Sequence, residues 1–324
     1  MAFWNDRKVF VTGCTGFLGT WLTAELVVRG ADVIGLVRDG IWRSPFYLDS
    51  IADQVTVVRG SVEDISTVER AVNEYEVDTV FHLAAQAIVG TAKRSPLSTF
   101  EANIKGTWVV LEACRHSPLV SRVVIASSDK AYGEHHHLPY HEGLPLEGRH
   151  PYDVSKSCAD LIATTYHATY KTPVCITRCG NLFGPGDFNF NRIIPGTIRA
   201  ALRGQRPVIR SDGSPIRDYI YVKDAVAAYL LLAERMDDAS VHGKAFNFGT
   251  GEPVSVIDLT RRLLTAAARP DLEPDVQNTA SNEIQRQYLS TELARKVLGW
   301  APGRTLGDRL QETVAWYRDN ANNC

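Results

Sequence analysis

Tyr152 and Lys156 stand four residues apart in PYDVSKSCADL, and Ser128 lies upstream of them in SSDKAYG. Residues at i and i+4 share one helix face. An ammonium held beside a phenol stabilises phenolate, so Tyr152 is suited to remove a proton from an alcohol near neutral pH while Ser128 hydrogen-bonds the same oxygen. A lone YxxxK spacing is common and usually structural. Next to Ser128 stand Asp129 and Lys130, an acid and a base placed where the apolar run RVVIA ends. Taken by themselves they read as a solvated ion pair at a strand end, worth little for stability.

A second set of residues changes the weight of the first. In VTGCTGFLG, Gly13, Gly16 and Gly19 close an apolar run and open a helical one. Glycines at this spacing allow a tight turn and the close approach of a pyrophosphate, whose charge meets free amides at a helix N-terminus. The placement after a first strand and before an apolar helix gives this otherwise weak signal its context, and the reading is a dinucleotide site. The second strand ends in LVRDG. There Arg38 suits the 2′-phosphate of NADP and Asp39 suits the ribose hydroxyls of NAD; the residues lean slightly to NADP, and the cofactor is written NAD(P)+.

The elements that must position these groups are legible in the first half. KVFVTG, DVIGLV, VTVVRG, TVFHLA, RVVIASS and PVCITR are six candidate strands, separated by amphipathic segments at 17–30, 97–116 and 152–170. Such alternation predicts an α/β fold, a Rossmann-type doubly wound parallel sheet. After Arg178 the rhythm changes: GNLFGPGDFNFN reads as loop, IIPGTIRAALRG as helix, and mixed short elements follow. The expected division is a cofactor-binding domain of residues 1–178 with about 219–248, and a smaller C-terminal α/β substrate lobe of 179–218 and 249–324, with a cleft between them.

Composition narrows the partners. The 324 residues are 44% hydrophobic and carry 35 basic against 37 acidic side chains, net charge -2, with no basic field for nucleic acid or an anionic membrane. No run of eighteen apolar residues and no secretory leader is seen, so the expectation is a cytoplasmic protein acting on small molecules. Six cysteines (Cys14, Cys114, Cys158, Cys175, Cys179, Cys324) form no CxxC pair and read as reduced thiols. His135, His136, His137 and His141 crowd one loop, but consecutive residues rarely point at one ion, and no metal site is expected. The aromatic ends WNDR and AWYRDN are expected to pin the termini onto the core.

With these motifs in hand, the chain resembles the extended short-chain dehydrogenase/reductases of the NAD-dependent epimerase/dehydratase family, which act on nucleotide sugars. The resemblance runs through VTGCTGFLG, FHLAAQ, Asn103 in EANIKGT, SSDKAYG, PYDVSK, GNLFGPGD, RDYIYVKD, FNFGTG and LGWAP in the family's order. FWNDRKVFVTGCTGFLGTWL and SSDKAYG look most like CDP-glucose 4,6-dehydratases. Two departures stand out: Ser61 in RGSVED replaces the family's usual acid, and SDGSPIRDYIYVKD is similar to the broader epimerase and dehydratase group.

The resemblance implies cofactor contacts at Gly13, Thr15, Gly16, Phe17, Leu18, Gly19, Arg38, Asp39, Ser61, Val62, Leu83, Ala84, Ala85, Asn103, Tyr152 and Lys156. It implies contacts to a nucleotide-diphosphate sugar at Gln86, Asn181, Arg192, Val208, Arg217 and Arg286, with Asn181 and Arg217 as phosphate donors and Arg192 and Arg286 as weaker candidates. It also gives Asp129 and Lys130 work. After Tyr152 starts oxidation at C4, Lys130 would remove the acidified C5 proton, which requires it to be neutral part of the time, and Asp129 would protonate the departing C6 hydroxyl, giving a 4-keto-6-deoxy sugar. A 4-epimerase needs only oxidation, rotation and re-reduction, so this pair separates a 4,6-dehydratase from an epimerase or decarboxylase on the same scaffold. A cofactor-binding sensor without catalysis is the remote alternative, opposed by the intact Ser128, Tyr152 and Lys156. The helices at 97–116 and 152–170 carry apolar residues on more than one face, and the resemblance implies that they meet the same pair of a second subunit in a four-helix homodimer interface.

Overall fold

The structure, a computed structural model, describes residues 3–40, 44–280 and 284–321. The six apolar runs form β1 (Lys8–Thr12), β2 (Asp32–Val37), β3 (Thr56–Arg59), β4 (Thr79–His82), β5 (Arg122–Ala126) and β6 (Val174–Cys179). Shorter strands follow: β7 (Asn181–Phe183), β8 (Val208–Ile209), β9 (Ile216–Arg217), β10 (Tyr219–Tyr221), β11 (Ala245–Phe248), β12 (Val254–Ser255), β13 (Asp275–Val276) and β14 (Arg286–Gln287). The first six and β11 make one seven-stranded sheet in the order β11-β6-β5-β4-β1-β2-β3, parallel at every pairing. This is a Rossmann-type α/β fold. Helices cover both faces, which is why these strands are apolar without alternation. One face buries Val9, Val11, Leu22, Phe81 and Phe246, and the other buries Phe10, Ile34, Val80, Val110 and Ile176.

Strand order reverses between β1 and β4, and the crevice beyond their carboxyl ends is where such sheets bind ligands. The helix Phe17–Val28 starts directly after the glycine turn, and the helix Pro151–Tyr170 starts with a proline at its first position, where the missing N–H costs nothing. The segment read as one helix over 97–116 is a helical passage of three parts: Pro96–Phe100, a π-helical turn Glu101–Lys105, and Gly106–His116. Periodicity does not reveal that extra residue.

The second half departs further from the sequence reading. Asn181–Phe183, expected as loop, is a strand paired in parallel with Tyr219–Tyr221. Its partner lies far along the chain, so no local pattern announces it. That pairing joins residues assigned above to different domains, while β11 enters the large sheet. A separate apolar cluster gathers Phe183, Ile198, Tyr221, Leu263, Leu310 and Tyr317. Trp4 is buried in the main core and donates to Glu234 Oε1 at 2.5 Å. Cys14, Cys114, Cys158, Cys175 and Cys179 are free thiols; Cys324 lies outside the described residues. No helix among the described residues is long and apolar enough to cross a membrane.

A buried polar network ties the 151–170 helix to the sheet. Arg178 on β6 donates to both carboxylate oxygens of Asp160, at 2.7 and 2.8 Å, and to the Tyr132 hydroxyl at 2.9 Å. The Tyr132 hydroxyl donates to Asn247 Oδ1 on β11 at 2.7 Å. Both members of the ion pair are nearly sealed from solvent, with side-chain exposures of 7% and 2%. Removing one member of such a pair strands a buried charge and costs roughly 3 to 5 kcal/mol. Arg178→Leu and Asp160→Leu are therefore each expected to lower stability by about that much in urea unfolding, and the double variant to lose less than the sum.

Candidate active site

The glycine turn is shaped by what it approaches. Gly13 has φ +75, and a Cβ there would sit 2.7 Å from the Ala84 backbone nitrogen at the end of β4. A Cβ on Gly19 would lie 2.0 Å from the Gly13 carbonyl oxygen. No side chain caps the helix that begins at Phe17, and its first turn holds no acid. A cradle that any side chain would fill, facing uncapped amides, fits a dinucleotide pyrophosphate.

The ends of β1 to β6 open onto a cleft of about 1410 Å³. One end is lined by Gly13, Thr15, Gly16, Phe17, Leu18, Gly19, Arg38, Asp39, Val62, Leu83, Ala84 and Ala85. Ser128, Asp129, Lys130, Tyr152 and Lys156 line the middle, and Asn181, Arg192, Val208 and Arg217 the far end. Ser61, Gln86, Asn103 and Arg286 are not among the lining residues. The Ser61 hydroxyl accepts from Glu63 N at 3.4 Å, and the Arg286 guanidinium lies 6.0 Å from the Tyr288 ring. Asn103 is buried on the π-helical turn, where its Oδ1 accepts from Gln86 N at 2.6 Å and its Nδ2 donates to Gln86 O at 3.2 Å and Ser155 Oγ at 2.8 Å. It thus latches the loop after β4 to the 151–170 helix. His82, at the end of β4, is sandwiched between Thr12 Oγ1 at 2.8 Å and Thr107 Oγ1 at 3.2 Å. Burial, and then Lys156, push its imidazole down to about 3, so it is neutral.

In the middle of the cleft, the Ser128 hydroxyl donates to Asp129 Oδ1 at 3.0 Å and accepts from Lys130 N at 3.2 Å. Asp129 is 2% exposed, and its Oδ2 has no hydrogen-bond partner among the described residues. Lys130 Nζ donates to Gln287 Oε1, and Gln287 Nε2 donates to the Asp129 carbonyl at 2.9 Å. The sequence expectation that Lys156 lowers the Tyr152 phenol is corrected here. Burial raises that phenol to about 12, against a smaller downward pull from Ser128. The Lys156 ammonium is instead held against Ala126 O at 2.7 Å, and its own burial lowers it to about 8.

At the far end, Arg192 is held by Asp187 at 3.1 Å and Asn181 Nδ2 donates to Asp218 O at 3.3 Å. Arg199, Arg203, Arg206 and Arg210 also line this end, a cationic wall that the sequence reading missed. The near-zero net charge hid it; the i, i+4 pair Arg199 and Arg203 was the available signal. Gln287 was missed too, since nothing in RQY marks it. Among the described residues no group of His, Cys, Asp and Glu is arranged to hold a metal ion.

This fold and glycine cradle define a dinucleotide-dependent α/β protein. Residues 9–249 match the NAD dependent epimerase/dehydratase family, and the chain belongs to it. It is 29% identical over 331 residues to the CDP-glucose 4,6-dehydratase of Salmonella typhimurium, covering 98% of this chain and 92% of that one. Among solved structures, UDP-glucose 4-epimerase of Thermotoga maritima with UDP-glucose superposes with a TM-score of 0.90 at 28% identity, over 97% of this chain and 100% of that one. The dTDP-glucose 4,6-dehydratase of Bacillus anthracis in complex with NAD gives 0.86 at 26% identity, over 98% of both chains.

Lys156 is buried as a cation, and its replacement has a signed consequence. Its folded value of about 8 lies below the ordinary 10.5, so charging it opposes folding below pH 8, and that penalty fades between pH 8 and 10.5. Lys156→Met is expected to raise the melting temperature at pH 7 by a few degrees, to lose that advantage by pH 10.5, and to lose activity by at least about 100-fold.

Proposed function

We propose that the protein is a nucleotide-sugar 4,6-dehydratase that converts an NDP-hexose to the NDP-4-keto-6-deoxyhexose, with CDP-glucose as the leading substrate. The observation that carries this reading is the acid and base pair Asp129 and Lys130 beside Ser128 and Tyr152 in one cleft. NAD, held by the Gly13, Gly16 and Gly19 cradle, would supply the two-electron acceptor and donor that oxidation at C4 and reduction at C6 require, and its cationic ring would favour the Tyr152 phenolate. Tyr152 takes the C4 hydroxyl proton while Ser128 holds that oxygen. Lys130 takes the C5 proton, Asp129 gives a proton to the C6 hydroxyl, which leaves as water, and Lys130 returns a proton to C5. The partnerless Oδ2 of Asp129 suits a carboxyl that donates to the departing oxygen. Asn181 and Arg217 hold the diphosphate.

On the cofactor, the lean to NADP gives way to NAD. Arg38 Nε donates to Asp39 Oδ2 at 2.7 Å, so its charge is already answered, and the carboxylate repels a 2′-phosphate while accepting from ribose hydroxyls. A 4-epimerase is the second reading, favoured by the likeness to the Thermotoga maritima enzyme.

One experiment separates them. CDP-, UDP-, GDP- and dTDP-hexoses incubated with the protein and NAD+ or NADP+ in deuterated water are followed by mass spectrometry and proton NMR. Loss of one water with deuterium at C5, abolished in Lys130→Met and Asp129→Asn, is expected. Unchanged mass with an inverted C4 centre establishes the epimerase instead.

We also propose a two-fold dimer. Leu97, Trp108, Leu161 and Tyr170, on the helical passages at 96–116 and 151–170, are 73%, 43%, 56% and 53% exposed. These passages pack against each other, and a second copy of the same pair covers such a face in a self-complementary way. Sedimentation equilibrium is expected to give the mass of two chains, and Trp108→Glu with Leu161→Glu to give one.

A further inference from the structure

Gln287 is 0% exposed and belongs to neither the glycine cradle nor the Tyr152 and Lys156 helix. It sits on β14, paired in parallel with β9 so that Gln287 lies opposite Arg217. Neighbouring hydrogen bonds fix this strand in place: Leu289 N donates to Asp218 Oδ2 at 3.4 Å, and Tyr140 N donates to Tyr288 O at 2.9 Å. From there the side chain reaches the dyad with both ends of its amide. Nε2 donates to Asp129 O at 2.9 Å, and Oε1 accepts from Lys130 Nζ. A carbonyl only accepts and an ammonium only donates, so one orientation of the amide satisfies both partners. Buried and doubly bonded, it has one place to be.

We propose that Gln287 is a positioning residue for Lys130, setting from the substrate lobe both where that amine points and how readily it gives up its proton. The proposal rests on the reading of Lys130 as the C5 base. Its physical content is that the base is referenced to two elements at once. Its backbone belongs to the 3-10 turn Asp129–Tyr132 that follows β5, while its nitrogen is tied to the strand paired with Arg217. A diphosphate held by Arg217 and a proton-transfer group held by Gln287 therefore share one ladder, and the distance between them is fixed by strand register. The charged and titratable groups around Lys130 include Asp129 beside it, Asp153 from the 151–170 helix, whose carboxyl feels the Lys130 charge, and Arg217, paired with Gln287 in the ladder. Arg178, on β6, is answered by Asp160. Gln287 is the neutral member of this set. A carbonyl accepting from an ammonium favours the charged amine, its loss favours the neutral one, and a carboxylate in its place favours the charged form more strongly.

The test compares Gln287→Met, which keeps volume and removes both hydrogen bonds, with Gln287→Glu, which keeps the acceptor and adds charge. The rate at which acetic anhydride acylates Lys130 is measured against pH by peptide mass spectrometry on the folded, full-length protein, because only the neutral amine reacts. The midpoint is expected to move down by about one pH unit in Gln287→Met and up by about as much in Gln287→Glu. In steady-state kinetics kcat is expected to fall about tenfold or more in Gln287→Met with KM within about twofold, and to recover in Gln287→Glu as pH is raised. A native midpoint in both variants overturns the proposal. If Gln287→Met fails to fold, the sign of the Gln287→Glu shift decides alone. Opposite shifts in a protein that removes no water from any sugar nucleotide uphold the role of Gln287 and overturn the dehydratase reading; dehydration with unmoved midpoints does the reverse.

Discussion

The cleft depends on how closely two backbones meet at the switch point of the sheet. The chain leaving β1 passes Ala84 at a distance that admits no side chain on Gly13, and only a left-handed φ turns it toward the helix. Around that contact the protein places neutral hydrogen bonds rather than charges. Thr12 Oγ1 meets His82 and accepts from Ala84 N at 3.2 Å, and a neutral His82 bridges to Thr107. A neutral imidazole at the end of β4 leaves the uncapped amides of the Phe17–Val28 helix as the attraction for an anion at the glycine turn.

The second requirement is to hold ionisable groups in an interior that disfavours them. Each buried ionisable group is held differently. Arg178 is fully paired and braces the helix that carries Tyr152 and Lys156. Lys156 donates to a backbone carbonyl, that of Ala126, and burial lowers its ammonium. Asp129 keeps one oxygen bonded to Ser128 and one without a partner. Balanced and unbalanced groups thus stand close together, on β6, the 151–170 helix and the turn Asp129–Tyr132 after β5.

Much of this was legible in the residues. Apolar runs, glycine spacing and the proline-started helix are local signals, so six strands, the cradle and the Tyr152 and Lys156 pair could be read directly. What escaped depends on distant partners. Asn181–Phe183 becomes a strand only because Tyr219–Tyr221 lies beside it. Asn103 is assigned to the cofactor by motif, yet its amide is spent on Gln86 and Ser155. The cationic wall at the far end is assembled from arginines on a helix and the chain after it, diluted in sequence by as many acids elsewhere. Gln287 carries no signal at all, since an amide in a two-residue strand becomes informative only when both of its neighbours are seen. The phenol of Tyr152 shows a different failure: the spacing puts Lys156 one turn away, but its ammonium is held against Ala126 O, and burial raises the phenol.

The π-helical turn Glu101–Lys105 has a consequence for how this chain can change over time. A π turn holds one residue more than an α turn, so Leu97 before it and Trp108 after it are offset around the axis relative to a regular helix. Deleting one residue there would restore the regular helix and rotate everything on one side by roughly 100°. The outer face of the helix and the Asn103 latch inside would then lose register together. A change of length in this stretch therefore disturbs the outer face and the latch at once, whereas a substitution disturbs one of them.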